Sequence, residues 1–180
     1  FANAVIGGDF TSRLNMILRE DKHWSYGAGS RMGNALGQRL WTANAAVQSD
    51  KTIESIKEMQ KEIGDFAAGR RAVDAEEVAR LQAINIRSLP GSFETARNVL
   101  ATIGSINRYG RPDDFVTWRK AKIEQMTPAG VQQVATGAFK PEAMTWIVVG
   151  DRAKIEAGVR ALNIGELVVL AVQIRSFLHH

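Results

Sequence analysis

Between Trp41 and Ile63 the spacing of apolar side chains changes, and that change limits the folds open to the chain. "GQRLWTANAAVQ" sets Trp41, Ala43, Ala45 and Val47 two apart, the repeat of a strand with one buried face. With the preceding "WSYGAGSRM" it predicts an antiparallel hairpin turning around Gly33-Asn34. Past Asp50, read as a helix cap, "KTIESIKEMQKEIGDF" places Ile53, Ile56, Met59 (or Gln60) and Ile63 at helical spacing, opposite a face of Glu and Lys. A one-sided hairpin followed at once by a one-sided helix calls for a helix packed on a sheet.

The flanking segments extend the pattern. "DFTSRLNMILRED" follows a Gly7-Gly8 break and carries Phe10, Leu14, Ile17 and Leu18 at helical spacing, with Thr11 or Ser12 as a cap, so a short helix is expected from about Ser12 to Asp21. Asp74-Ala75-Glu76-Glu77 resembles a capping box and opens a helix through Val78, Leu81 and Ile84-Ile86, stopped by Pro90-Gly91. "SFETARNVLATIGSINRYG" predicts a helix ending at Gly110. "RPDDFVTWRKAKIEQM" predicts another, capped by Asp113-Asp114, and Thr127-Pro128 opens "PAGVQQVATGAF". "MTWIVVGD" reads as a buried central strand, "RAKIEAGVRALNI" as a helix and "ELVVLAV" as a last strand. Trp41, Trp118 and Trp146 are expected in core or helix-sheet contacts, and Met16, Met59 and Met126 as gap fillers. The order gives an α+β fold, a mixed or antiparallel sheet covered by helices.

Composition narrows the function. With 180 residues and 45% hydrophobic content the chain suits a single domain over 1–180. The net charge of +4 is spread along it, without the basic run of a nucleic-acid or membrane-surface patch. The apolar run "ELVVLAVQI" is too short for a membrane span. Cysteine is absent and His23 is the only histidine outside the terminal pair, so neither a thiolate nor a multi-histidine metal site is expected. His179-His180 reads as the remnant of a purification tag, and Phe1 starts inside a predicted helix, as in a segment of a longer chain. "GDFTSR" and "GAGSRMG" lack the G-x-G-x-x-G and P-loop patterns of phosphate cradles, and one histidine on a charged turn does not make a triad.

"LREDKHWSYGA" is what remains. Arg19 offers a fixed fork of donors and Tyr26 one phenolic donor, and together they can hold a peptide carbonyl or a developing oxyanion without proton transfer. Each residue also has a plainer role: an arginine at a helix end can satisfy its last carbonyls, and a strand tyrosine can pack.

"NAVIGGDFTSRLNMILREDKHWSYGA" resembles the C-terminal, non-zinc half of the insulinase/pitrilysin family of zinc metallopeptidases. The matching positions are Gly7, Gly8, Phe10, Ser12, Arg13 and Leu14, then Leu18, Arg19, Glu20, Ser25, Tyr26 and Gly27. The likeness continues through "VQSDKTIESIKEMQKEI", "LPGSFET", "RYGRPDDF" and "TWIVVGDRAKIEAGVRALNIGELVVL", nearest the bacterial members with two homologous halves, and residues after about Leu170 depart from it.

The resemblance implies one repeat of the insulinase-family α/β sandwich, the last of four similar domains. It further implies zinc and general base on another domain bearing H-x-x-E-H, with no catalytic or metal residue in this segment. Arg19 and Tyr26 would bind the substrate peptide in a closed chamber shared with the N-terminal, zinc-bearing half of the same or a paired chain. This segment alone would be inactive. Neither nucleic acid nor a membrane span enters the expectation, and the location would be periplasmic or otherwise exported. The competing reading is a non-catalytic structural or interaction subunit of the same fold.

Overall fold

A computed structural model describes residues 1–170. A π-helical turn at Ala4–Gly8 leads to a short helix, α1 (Arg13–Asn15), which widens into a second π-helical turn at Met16–Asp21. Two strands follow, β1 (Ser25–Met32) and β2 (Trp41–Val47). Six helices complete the described chain: α2 (Thr52–Ala67), α3 (Ala75–Arg87), α4 (Ala96–Tyr109), α5 (Phe115–Glu124), α6 (Pro128–Ala138) and α7 (Arg152–Ala161).

The predicted hairpin forms, with Ala28 opposite Ala45, Ser30 opposite Ala43 and Met32 opposite Trp41. Its connection is longer than Gly33-Asn34: residues 33–40 form the loop, closed where Gly33 N–H donates to the Leu40 carbonyl at 2.8 Å. Ala28, Ala43, Ala45 and Trp41 face the core, which joins Val5, Ile6, Leu14 and Leu18 to Ile63 and Phe66 of α2, Leu81 of α3 and Ala135 of α6. Ile6, Leu14, Leu18, Ile63, Phe66 and Leu81 are fully buried, each contributing about 1.5–3 kcal/mol by leaving water. Phe139 closes this core, edge-on to Trp41 at 4.9 Å and tilted against Phe66 at 5.5 Å.

Capping chemistry explains most helix starts. Asp74 accepts from Glu77 N–H while the Glu77 carboxylate accepts from Asp74 N–H, so the capping box forms as expected. Thr127 caps α6 with Pro128 in its first turn, Thr95 caps α4 and Asp151 caps α7. Asp50 does not cap α2; it lies in a 3₁₀ turn at Ser49–Lys51, and Lys51 takes the capping position without a side-chain bond. Asp114 stands at the N-cap of α5 but also makes no capping bond. Gly110 ends α4 with φ of 57°, a left-handed conformation that costs glycine little.

The expected central strand is extended but unpaired. Along 144–149, Met144, Trp146 and Val148 are half-buried while Thr145, Ile147 and Val149 are exposed, as in a strand with one covered face. No ladder forms because its backbone meets no partner strand among the described residues, where the sheet has two strands. Glu166–Leu170, the described part of the expected last strand, is likewise unpaired; the rest of that strand, the 171–180 tail and His179-His180 lie outside the described residues. Trp41 and Trp146 pack on the core, but Trp118 is 47% exposed and stacks on Phe115 instead. Met59 is buried and Met126 packs at the core margin, whereas Met16 is exposed.

Candidate functional site

The segment that carries Arg19 is held to the strand that carries Tyr26 by Asn15, and Ser25 shapes that strand. Asn15 is 4% exposed; its amide donates to the Phe10 carbonyl at 2.6 Å, and its Oδ1 accepts from Ala28 N–H at 3.1 Å. Ser25 works on the strand itself. Four residues of β1 from Ser25 to Ala28 span three of β2 from Val47 to Ala45, a β-bulge at Tyr26-Gly27. Ser25 Oγ accepts from Gly27 N–H at 3.1 Å and shares its proton between the carbonyls of Gly27 (2.8 Å) and Ala46 (2.7 Å). The bulge breaks the alternation of the strand, so Ala28 turns inward while Tyr26 stays 98% exposed.

The helix end is fixed with equal care. The π-helical turn closes with Lys22 N–H on the Ile17 carbonyl and Trp24 N–H on the Leu18 carbonyl, both at 2.9 Å. His23 adopts a left-handed φ of 56°, and its Nδ1 lies 3.0 Å from the Arg19 carbonyl. The lone histidine thus serves as a helix cap, and Trp24 packs against the core. Arg19 has its guanidinium over the Phe10 ring at 4.7 Å and 3.3 Å from Glu20, an exposed neighbouring pair worth little in water.

Neither residue has taken its plainer role. Among the described residues the Arg19 guanidinium bonds no helix carbonyl but rests on Phe10 beside Glu20, and Tyr26 is 98% exposed, which leaves its phenol free to donate. They stand on adjoining elements, the second π-helical turn and β1, and no hydrogen bond joins them among the described residues. Arginine and tyrosine side chains can each donate a hydrogen bond to a peptide oxygen.

Two residues of the motif have structural work that spacing alone does not reveal. Arg13 is 5% exposed and grips Glu77 with both ends of its fork, Nε to Oε1 at 2.8 Å and Nη2 to Oε2 at 2.7 Å. It also donates to the carbonyls of Arg71 and Ala72, tying α1 to the α2–α3 connection. Gly7 lies so close to β1 that a Cβ there would stand 2.5 Å from Ser30 Oγ and 2.8 Å from Ser30 N. Asn3 extends this junction: its Oδ1 accepts from Ser30 Oγ at 2.8 Å and Trp41 Nε1 at 2.7 Å. Asn15 and Ser25 escape sequence reading because their partners lie across the fold, although the S-Y-G order hints at the bulge.

Among the described residues no group of three or more His, Cys, Asp or Glu lies where it could hold a metal ion, and no helix is long and apolar enough to cross a membrane.

A helix-covered antiparallel hairpin defines a fold of α+β class. Residues 1–85 match the family described as "Peptidase M16 inactive domain". Among solved structures, the peptidase M16 inactive domain from Pseudomonas fluorescens superposes with a TM-score of 0.68 at 17% identity, over 78% of this chain and 33% of that one. A conserved protein from Enterococcus faecalis V583 gives 0.63 at 19% identity, over 74% and 31%. No curated protein matches. The chain thus spans about a third of the solved proteins it resembles, which share its fold. The match over residues 1–85 supports a C-terminal, insulinase-family type of domain.

Proposed function

We propose that this chain is the substrate-binding, non-zinc part of an M16-type metalloendopeptidase, in which Arg19 and Tyr26 hold the backbone of a peptide. One observation carries the reading: a β-bulge braced by Ser25 keeps a strand tyrosine 98% exposed beside the element bearing Arg19. A tyrosine left wholly in water is ill placed for stability and well placed for a ligand. The family match over residues 1–85 supports it.

The described residues do not suit zinc, so zinc and the general base would belong to another M16 half, in the same or a paired chain, and this segment alone would be inactive. Its own contribution is positional. The fork of Arg19 and the phenol of Tyr26 fix the carbonyl next to the bond to be cut and stabilise negative charge there, at no cost of reorganisation during reaction. By resemblance the longer chain is exported, and cell fractionation tests that.

The function is tested by peptide cleavage with the longer protein that carries the zinc half. Tyr26→Phe removes one donor and should lower kcat/KM by roughly 10²-fold with the fold intact. Wild-type rates in a folded variant would refute the role of Tyr26. A wild-type protein that assembles yet cleaves no peptide would favour the non-catalytic subunit.

A further inference from the structure

We propose that a second binding site, for a carboxylate group, lies in the cleft between the α3–α4 connection, α4 and the start of α5. The cleft measures about 220 Å³ and is lined by Phe93, Ser105, Arg111, Phe115 and Arg119 among others. Its construction begins at the end of α4. Gly110 turns left-handed, Arg111 N–H donates to the Ile106 carbonyl at 3.0 Å, and the chain folds Arg111 back over its own helix.

The Arg111 guanidinium lies 4.3 Å from the Phe115 ring centroid and 4.7 Å from that of Tyr109, and it donates to Ser105 Oγ. Two aromatic contacts and one hydrogen bond hold the fork in a single orientation, partly screened from water. Arg119 lines the same cleft one helical step further on.

Among the described residues several arginines, Arg31, Arg97 and Arg108 among them, have no carboxylate partner; what sets Arg111 and Arg119 apart is that they share one cleft. Arg13, Arg70, Arg71, Arg152 and Arg160 each pair with a carboxylate. Among the described residues neither Arg111 nor Arg119 does, although Asp113 and Asp114 are close in sequence. Of the hydroxyls at the cleft, Ser92 donates to the Ser88 carbonyl and Thr102 to that of Asn98, whereas Ser105 accepts from Arg111 and keeps its proton to donate. The unused donors are therefore guanidinium N–H groups, joined by the Ser105 hydroxyl, and the guanidinium fork suits a planar carboxylate in two-point contact. The volume accommodates an acidic side chain or a chain terminus and is too small for a nucleotide, and Phe93 and Phe115 offer apolar surface to the carbon atoms beside the charge.

A peptide as the carrier rests on the peptidase reading; the carboxylate chemistry does not. The test is side-chain NMR of the arginine Nε–Hε signals in the 180-residue chain, titrated with four probes. They are a neutral blocked tri-alanine amide, the same peptide with a free C-terminus, a blocked peptide amide bearing one glutamate, and inorganic phosphate. Saturable shifts at Arg111 and Arg119 are expected with one or both carboxylate peptides, with a Kd of about 1 mM or tighter, and which of them binds identifies a chain end or an acidic side chain.

Arg111→Gln and Arg119→Gln should each weaken binding by about tenfold or more. If Arg111→Gln disturbs the amide spectrum outside the cleft, Arg119→Gln decides, because Arg119 is exposed and makes no side-chain hydrogen bond among the described residues. Equal response to the neutral peptide, phosphate bound as tightly as carboxylate, or unchanged binding in a folded variant would overturn the site. No cleavage is measured, so this outcome stands apart from the fate of Arg19 and Tyr26.

Discussion

Replacing Asn15 with leucine tests whether the Arg19 element and the Tyr26 strand are held together as described. Leucine has nearly the same volume, so little cavity forms, but both hydrogen bonds vanish: Phe10 loses its donor and Ala28 its acceptor. Each lost bond removes about 0.5–1.5 kcal/mol, and each buried group left without a partner costs about 1–3 kcal/mol in place of that smaller figure. Ala28 N–H is deeply buried, whereas the Phe10 carbonyl sits on an exposed residue that water can reach. The sum is therefore about 2–4 kcal/mol, mostly from Ala28. For a chain of this size it should lower Tm by about 4–16 °C. Denaturant unfolding followed by circular dichroism measures the loss, and amide exchange at Ala28 locates it. A change under about 1 kcal/mol, or an Ala28 amide as protected as in the wild type, would refute the brace.

Four further outcomes follow from the structure. Gly158→Ala puts a Cβ 2.7–2.8 Å from the Ile53 side chain and should destabilise by about 1 kcal/mol, whereas Gly104→Ala, on α4 with nothing within 4 Å, should stabilise by up to about 1 kcal/mol; melting of the two variants must move in opposite directions. Arg13→Ala strands Glu77 and two backbone carbonyls and should cost about 3–5 kcal/mol by denaturant unfolding. Hydrogen bonds from Arg152 and then Arg160 hold the Glu156 carboxyl near 2 instead of its usual 4.5. Because the folded value is the lower one, the stability this group adds is present above pH 4.5 and is lost as pH falls toward 2, and an acid titration of Glu156→Gln should lack that component. The amides of 145–149 should exchange within the fastest class, while those of Ile63 and Phe66 in α2 exchange slowest.

What was legible in the sequence is what is decided locally. The stripe from Ile56 to Ile63, the Asp74–Glu77 box and the Thr127-Pro128 start each depend on residues within a turn or two, and each is found. The hairpin and its inward face were legible because alternation from Trp41 to Val47 has one plausible register. The two later strands were not, since a strand needs a neighbour to pair with, and no local pattern says whether "TWIVV" has one. Asp50 and Asp114 misled because a capping residue type is common at helix starts, while the bond depends on the backbone entering at the right angle.

At the site, the seven-residue spacing of Arg19 and Tyr26 stood out, but the means of exposing them did not. The bulge and the Asn15 brace are relations between segments 13 to 21 residues apart.

The central claim is that Arg19 and Tyr26 act on the same substrate group. A double-mutant cycle in the longer, zinc-bearing protein addresses it: kcat/KM for Arg19→Ala, Tyr26→Phe and both together, each variant first checked for folding. Roughly 10²-fold losses are expected for the singles, and the double variant should depart from their product by at least about 0.5 kcal/mol of coupling. Near wild-type rates in the singles, or losses that simply multiply, would contradict it.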